Sequence, residues 1–301
     1  MKKQKGNLFV RDTVGDKIIL TINFIALCLF LIIIAYPLLF VIFASFDGGA
    51  GTLSVNIWPS KWSDAGYRAV FEYGPVWIGY RNSLLYTVVG ALFGLIFCVC
   101  AGYPLAQPNL DGRNLFMGLF VFTMYFGGGL IPTYLTIRSY GLLDNPLAVL
   151  VPASVSVYNM IIMRTYFSTQ IPRELREAAQ LDGCAEMRYL VRIVLPLSVP
   201  ILAVVGLYYA VGVWNSYFDA MVYLSSRNKM PLTVFLREIL ILNDSADMTS
   251  SMDVESMITM QERQRVMKYS LIVVSSVPMF ILYPFVQKYF VQGIMIGSVK
   301  G

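Results

Sequence analysis

Ile171-Pro172-Arg173-Glu174-Leu175-Arg176-Glu177-Ala178-Ala179-Gln180-Leu181-Asp182-Gly183 opens a polar island that closes at Ile193-Val194-Leu195-Pro196. Within it Arg173, Arg176, Arg188 and Arg192 stand against Glu174, Glu177, Asp182 and Glu186, in a chain that is only 14% charged. Long apolar runs flank it on both sides. Charge at this density is expensive in hydrocarbon, so the island belongs in water between two membrane spans. Pro172 suits a first helical turn, where its missing donor is harmless, and Arg173 to Leu181 tolerate a helix. Asp182-Gly183 then supplies a turn. A second helix from about Cys184 to Val194 is expected to stop before Pro196. A helix of about ten residues is marginal alone and draws its stability from packing. Ala178 and Ala179 leave a close-approach surface, and Glu177 offers an acceptor to an arginine or a backbone donor. Two readings stay open on these grounds: a plug for an aqueous partner, or an amphipathic loop lying on lipid headgroups.

The composition places the rest of the chain in a membrane. At 57% hydrophobic residues, a mean hydropathy of +0.63 and 301 residues, the expected class is an all-α polytopic membrane protein. A spanning helix needs about 20 mostly apolar residues. Six runs satisfy this, at about 17–45, 79–106, 114–136, 146–168, 196–224 and 268–290. The first follows Lys2, Lys3, Lys5 and Arg11 and lacks a small-residue cleavage site, so it reads as a retained helix rather than a signal peptide.

An inside start makes 1–16 a cytoplasmic segment, 17–290 the six-helix domain and 291–301 a cytoplasmic tail. It places 169–195 in the cytoplasm and 225–267 outside. With the adjoining halves of the spans counted in, the inner side then carries 13 Lys/Arg and 7 Asp/Glu, and the outer side 10 and 11, in keeping with the positive-inside rule. The net charge of +5 concentrates on the inner side, so it calls for no nucleic acid.

Several chemistries are excluded. The chain has no histidine, which removes HExxH zinc sites, Ser-His-Asp and Cys-His nucleophiles and histidine proton relays. Cys28, Cys98, Cys100 and Cys184 form no CxxC pair and read as small free hydrophobes. No GxxxxGK[ST] phosphate loop is present, so nucleotide chemistry must come from another chain. No metal or catalytic residue is expected, since the spans offer no convergent nucleophile and base. An ion-coupled secondary transporter, the main alternative, wants acids within its spans, and Asp219 is nearly the sole one.

Span five is the richest in polar groups. Helical spacing puts Tyr208, Gly212, Asn215 and Asp219 on one stripe, with Trp214 nearby, and such a stripe can line a path for a polyhydroxylated solute or bond to a partner helix. Gly127-Gly128-Gly129 and Pro132 loosen span three, as a gate hinge or, preferably, a close helix crossing, with Tyr125 and Tyr134 as interface residues. Outside, Trp58, Trp62 and Trp77 read as interfacial anchors. Met230 to Leu240 reads as a short amphipathic helix at the surface, followed by a polar stretch, Asn243 to Ser251.

The spacing Glu177-Ala178-Ala179, Gly183, Ile193, Leu195-Pro196 resembles at every position the EAA loop of the permease subunits of bacterial ATP-binding-cassette importers. Gly128-Gly129-Leu130-Ile131-Pro132-Thr133-Tyr134-Leu135, the Trp214-Asn215 pair and Val299-Lys300-Gly301 are similar to the carbohydrate-uptake branch, the binding-protein-dependent transport inner-membrane components. The resemblance covers most of residues 70–301. It implies a type I importer permease of six helices in the bacterial inner membrane, both termini cytoplasmic. It further implies a heterodimer with a second permease, two ATPase subunits that bind ATP and Mg, and an extracytoplasmic solute-binding protein. This chain would hold no cofactor. Glu174, Glu177, Ala178, Ala179, Asp182, Gly183, Ile193, Leu195 and Pro196 would couple it to the ATPase, span five moving as a lever continuous with the docking helix. The tail from Gln292 to Gly301 would also touch the ATPase.

Overall fold

Thr13 and Asp16 start the first helix. The Thr13 hydroxyl accepts from the Asp16 amide at 3.2 Å and the Asp16 carboxylate accepts from the Thr13 amide at 2.8 Å, a closed capping box. From it runs α1 (Val14–Ala44), none of whose residues is buried. The structure is a computed structural model that describes residues 13–47, 58, 59, 61–244 and 254–297, with side chains left out at 242–244, 254–266 and 289–297. The N-terminal lysines, most of the polar stretch from Asn243 to Ser251, the side chains of the tail from Gln292 and the closing Val299-Lys300-Gly301 lie outside the described residues. Among the described residues there is no strand, only an isolated bridge between Asp47 and Trp62.

After the short α2 (Ala65–Glu72), Pro75 at the head of a helix opens α3 (Gly74–Ala106). Its 33 residues run unbroken, a rod of roughly 50 Å at 1.5 Å per residue. It is the axis of the bundle, packed against α6 (Leu147–Ser154), α7 (Val157–Gln170), α11 (Val199–Trp214) and α13 (Leu232–Asp244). Three buried clusters follow it. Cys98, Tyr103 and Leu105 meet Met160, Met163 and Phe167 of α7 and Val205 and Tyr209 of α11. Tyr86 meets Leu150 and Val213, and Val76 meets Trp214, Leu232 and Leu271.

Three helices are long and apolar enough to cross a membrane, Val14–Ala44, Gly74–Ala106 and Met267–Lys288, the last within α14 (Val254–Gly297). Three bent pairs pass the same test jointly, so up to six spans are available. The first pair, α4 (Arg113–Tyr125) and α5 (Leu130–Ser139), turns by 112° at the glycine run. A side chain at Gly127 or Gly129 would meet nothing within 4 Å, and one at Gly128 only the Pro132 ring, so among the described residues no helix of this chain crosses there. The expected break is present, and no described helix of this chain supplies the preferred crossing. Tyr125 is exposed beside it, and Tyr134 stacks on Tyr223.

The second pair, α6 with α7, bends by 43°, and the third, Glu186–Leu197 with α11, by 81° at Ser198. In the third pair α9 (Glu186–Tyr189) passes through a π-helical turn, Leu190–Val194, into α10 (Leu195–Leu197). The expected stop before Pro196 does not occur. Pro196 would clash with the carbonyl of Arg192 in α geometry, and the wider turn that contains Arg192 relieves it.

The segment expected at the surface is docked in the bundle instead. Leu232, Val234, Phe235 and Ile239 of α13 are buried, and α13 packs against α3 and α14. The Ser83 hydroxyl accepts from the Leu232 amide at 2.8 Å, supplying a partner for a donor at the start of α13. Of the tryptophans, Trp58 and Trp62 cluster with Phe43 and Phe46, and Trp77 stacks on Phe71.

Candidate functional site

Helix α8 (Arg173–Leu181) stands proud of the bundle, with its C-terminal end closed locally. Pro172 is extended and sets its entry. At its exit the Cys184 amide donates to Ala179 O at 2.9 Å and the Gly183 amide to Gln180 O at 3.0 Å, a Schellman cap. The cap requires the left-handed backbone that Gly183 adopts, φ +68°. Glu174, Glu177, Ala178, Asp182 and Gly183 are exposed, whereas Ala179 is buried. Leu181 is 90% exposed, the barest large apolar side chain described, and Met187 beyond the turn is 70% exposed. A short helix offering the carboxylates of Glu174 and Glu177, a small-residue surface and the bare Leu181, with Met187 just beyond its turn, has the makings of a plug rather than a solvated face.

Its mounting is polar. The Arg176 guanidinium donates to Gln107 Oε1 at 2.6 Å and pairs with Glu186 Oε1 at 3.2 Å. The same Glu186 oxygen accepts from the Tyr103 hydroxyl at 2.5 Å. One carboxylate thus ties α8 and α9 to the end of α3. Beside this knot lies a cleft of about 260 Å³ between α8 and the end of α3, with Gln107, Asn109, Phe167, Pro172 and Arg173 in its walls.

Not every expected site residue reaches this face. Ile193 and Leu195 are half-buried against the core around Tyr103 and Met163, and Pro196 lies beyond them on the helix leading to α11. They shape the route into the bundle and do not share the face of Glu177. The stripe on span five is also divided. Tyr208, Gly212 and Asn215 are exposed, but α11 ends at Trp214, with Asn215 as its cap. Asp219 belongs to α12 (Phe218–Tyr223), where it accepts from Ser216 Oγ at 3.4 Å. Trp214 is core, edge-on to Tyr80 at 6.0 Å. Sequence reasoning missed Leu181, Met187 and the Arg176–Glu186–Tyr103 knot. Leu181 had a signal, since it follows Glu174 and Ala178 at helical spacing. The knot had none, because Tyr103 is distant in sequence.

No family model matches the chain. Individual proteins do. Protein LplC of Bacillus subtilis is 39% identical over 267 residues, 88% of this chain and 89% of that protein. The polygalacturonan/rhamnogalacturonan transport system permease protein YtcP of Bacillus subtilis is 37% identical over 277 residues, 91% of this chain and 96% of that one. The chain belongs to the ABC transporter permeases. A solved structure agrees: a chain of a bacterial ABC transporter involved in the import of the acidic polysaccharide alginate superposes with a TM-score of 0.82 at 33% identity, over 92% of this permease and 98% of that chain. The polar island is therefore part of an ABC permease, a membrane protein and a non-catalytic transport subunit.

Proposed function

We propose that this permease carries an acidic, uronate-containing oligosaccharide across the bacterial inner membrane, with six spans and both termini in the cytoplasm. The substrate class rests on relatives whose names specify polygalacturonan, rhamnogalacturonan and the acidic polysaccharide alginate. In this reading a second permease completes the pathway, and two ATPase subunits bind ATP and Mg. A binding protein delivers the solute from outside. The observation that carries the coupling role is α8 itself, closed at its exit by the Gly183 cap, exposed along Glu177, Ala178 and Leu181, and knotted to α3 through Arg176. Glu177 would accept from a basic or backbone donor in a cleft of the ATPase, and Leu181 would fill an apolar pocket there. The tail from Gln292 would lie alongside. Tyr208, Gly212 and Asn215 would face the pathway from the end of α11.

The test uses the assembled complex in nanodiscs. A binding protein loaded with a galacturonate oligomer should raise the ATPase rate, and one loaded with a neutral oligomer of equal length should not. Equal stimulation by both would remove the acidic specificity. Glu177→Arg should lose the ATPase from the purified complex while the permease stays in the membrane. Full retention with normal stimulation would remove the docking role.

A further inference from the structure

The obvious lever for movement of α8 is the span that follows it, yet that route is interrupted three times. It passes a π turn at Leu190–Val194, bends by 81° at Ser198 and ends at Trp214. Such breaks absorb displacement within themselves. The route back through α7 meets the 43° bend into α6.

Helix α3 has neither defect, and it is gripped at both ends. At the α8 end it supplies Tyr103 to Glu186 at 2.5 Å, and Gln107, at its C-terminus, accepts from Arg176 at 2.6 Å. Gly102 lets the α7 backbone come close, and Arg164 of α7 donates to Leu105 O at 3.2 Å, which steadies the same end. At the opposite end α3 holds the turn that leads into α13. Asn82 Nδ2 donates to Asn228 O at 2.8 Å and to Met230 O at 3.0 Å. The Tyr86 hydroxyl donates to Lys229 O at 2.8 Å, and Ser83 Oγ accepts from the Leu232 amide at 2.8 Å. These contacts recruit backbone groups of the turn, so the turn cannot shift without α3.

We propose that α3 is the rod that carries movement of the docking helix to the α12–α13 turn on the far side, with Tyr103, Gln107, Arg176 and Glu186 as its input clasp and Asn82, Ser83 and Tyr86 as its output. The proposal rests on the docking role of α8. Tyr103 and Glu186 are positioning residues in this scheme. The clasp converts a shift of α8 into a shift of a helix rather than a loop, and an unbroken helix is the element that can deliver it about 30 Å away. It also assigns α13 a moving seat, since its first turn rides on α3.

The experiment uses the full complex in nanodiscs, with Cys28, Cys98, Cys100 and Cys184 replaced and Ser225→Cys added as a reporter. Ser225 is exposed in the turn, and only its backbone amide bonds to Asp144. ATP with vanadate is the probe that closes the ATPases, and maleimide labelling at position 225 is the readout. Trapping should change the labelling rate about fivefold or more. In Tyr103→Phe, which keeps the ring against Phe167, and in Glu186→Gln, that change should fall below about twofold, with bound ATPase and trapped nucleotide at reference levels. The swap Arg176→Glu with Glu186→Arg should restore it. An undiminished response in both clasp variants overturns the rod, as does loss of the ATPase from them, because the clasp would then serve only the mounting of α8. Glu177→Arg separates the two ideas. If it keeps its ATPase and its trapping, the docking role fails; if it loses them while the clasp variants respond fully, only the rod fails.

Discussion

Gly183 and Leu181 do different work at the end of α8. Gly183 holds the left-handed backbone of the cap, and an L side chain there costs about 1–2 kcal/mol, asparagine being better tolerated than most. Nothing lies within 4 Å of a side chain built at this position, so strain rather than a clash decides the outcome. ATPase retained on the purified complex should therefore fall in the order glycine, asparagine, alanine, valine. An equal yield from Gly183→Val and the unaltered chain would show that the cap is dispensable. Leu181 is 90% exposed and contributes nothing to the internal packing, so Leu181→Ala should leave thermal stability unchanged. As a docking anchor it should still weaken ATPase binding by about 2 kcal/mol, close to 30-fold. A titration of purified ATPase onto the permease pair checks this, and unchanged affinity would remove Leu181 from the interface. Residues of this kind were partly legible, because an Asp-Gly turn after an amphipathic nonamer announces both the cap and the exposed face. The Glu186 knot was not, since a sequence does not show which distant tyrosine will reach a carboxylate.

At the scale of elements, α13 tests how closely two helices must approach. A side chain at Gly79 would lie 2.9 Å from Leu232 Cα and 2.7 Å from the Phe235 ring, so α13 must retreat to admit it. Gly79→Ala should cost about 1–3 kcal/mol and lower the melting temperature of the solubilised complex. Gly74→Ala, with nothing within 4 Å, is the neutral partner experiment. The same region carries a clasp between the loop after α5 and the turn before α13. The Asp144 carboxylate accepts from Lys229 Nζ at 2.7 Å, from Ser226 Oγ at 2.6 Å and from the amides of Ser225 and Ser226. The lysine first, and then the Ser226 hydroxyl, hold this carboxyl well below the usual carboxylate range. A carboxyl lowered on folding contributes in full above its unfolded value near 4, and loses that contribution as pH falls through the folded one. Unfolding of the complex followed from pH 7 to pH 4 should thus show no Asp144-dependent loss. Asp144→Asn, which suits the backbone φ of +56°, should be less stable than the parent across that range. Equal stability at pH 7 would remove the clasp. Sequence patterns located the long apolar elements well, as α1 and α3 show. They misjudged α13, because its apolar spacing fits a membrane surface as well as a seat against α3. Only the close approach at Gly79 distinguishes these. They also ran span five straight through Ser198, although Pro196 and Pro200 on either side of it were visible.

For the molecule as a whole, the unburied surface defines what else must be present. No residue of α1 or α4 is buried, and on α5 only Ile137 is. Lipid tails can satisfy apolar side chains such as Phe122, Phe126 and Ile131, at 55%, 68% and 72% exposure. They cannot satisfy backbone amides and carbonyls at the 112° break between Tyr125 and Leu130. Irregular backbone at membrane depth persists only where protein covers it or water reaches it. In the proposed heterodimer this requirement falls on the second permease, either by direct cover or by enclosing a wet cavity with this chain. A fluorophore attached at Gly128→Cys, in the background with the native cysteines replaced, reports the difference. When this chain is made alone, brominated lipids should quench the label strongly. With the second permease present the quenching should fall by about half or more, since one face of the break is then closed to lipid. Equal quenching in the two preparations would mean that the break faces lipid in the assembled transporter, and the partner would have to sit elsewhere.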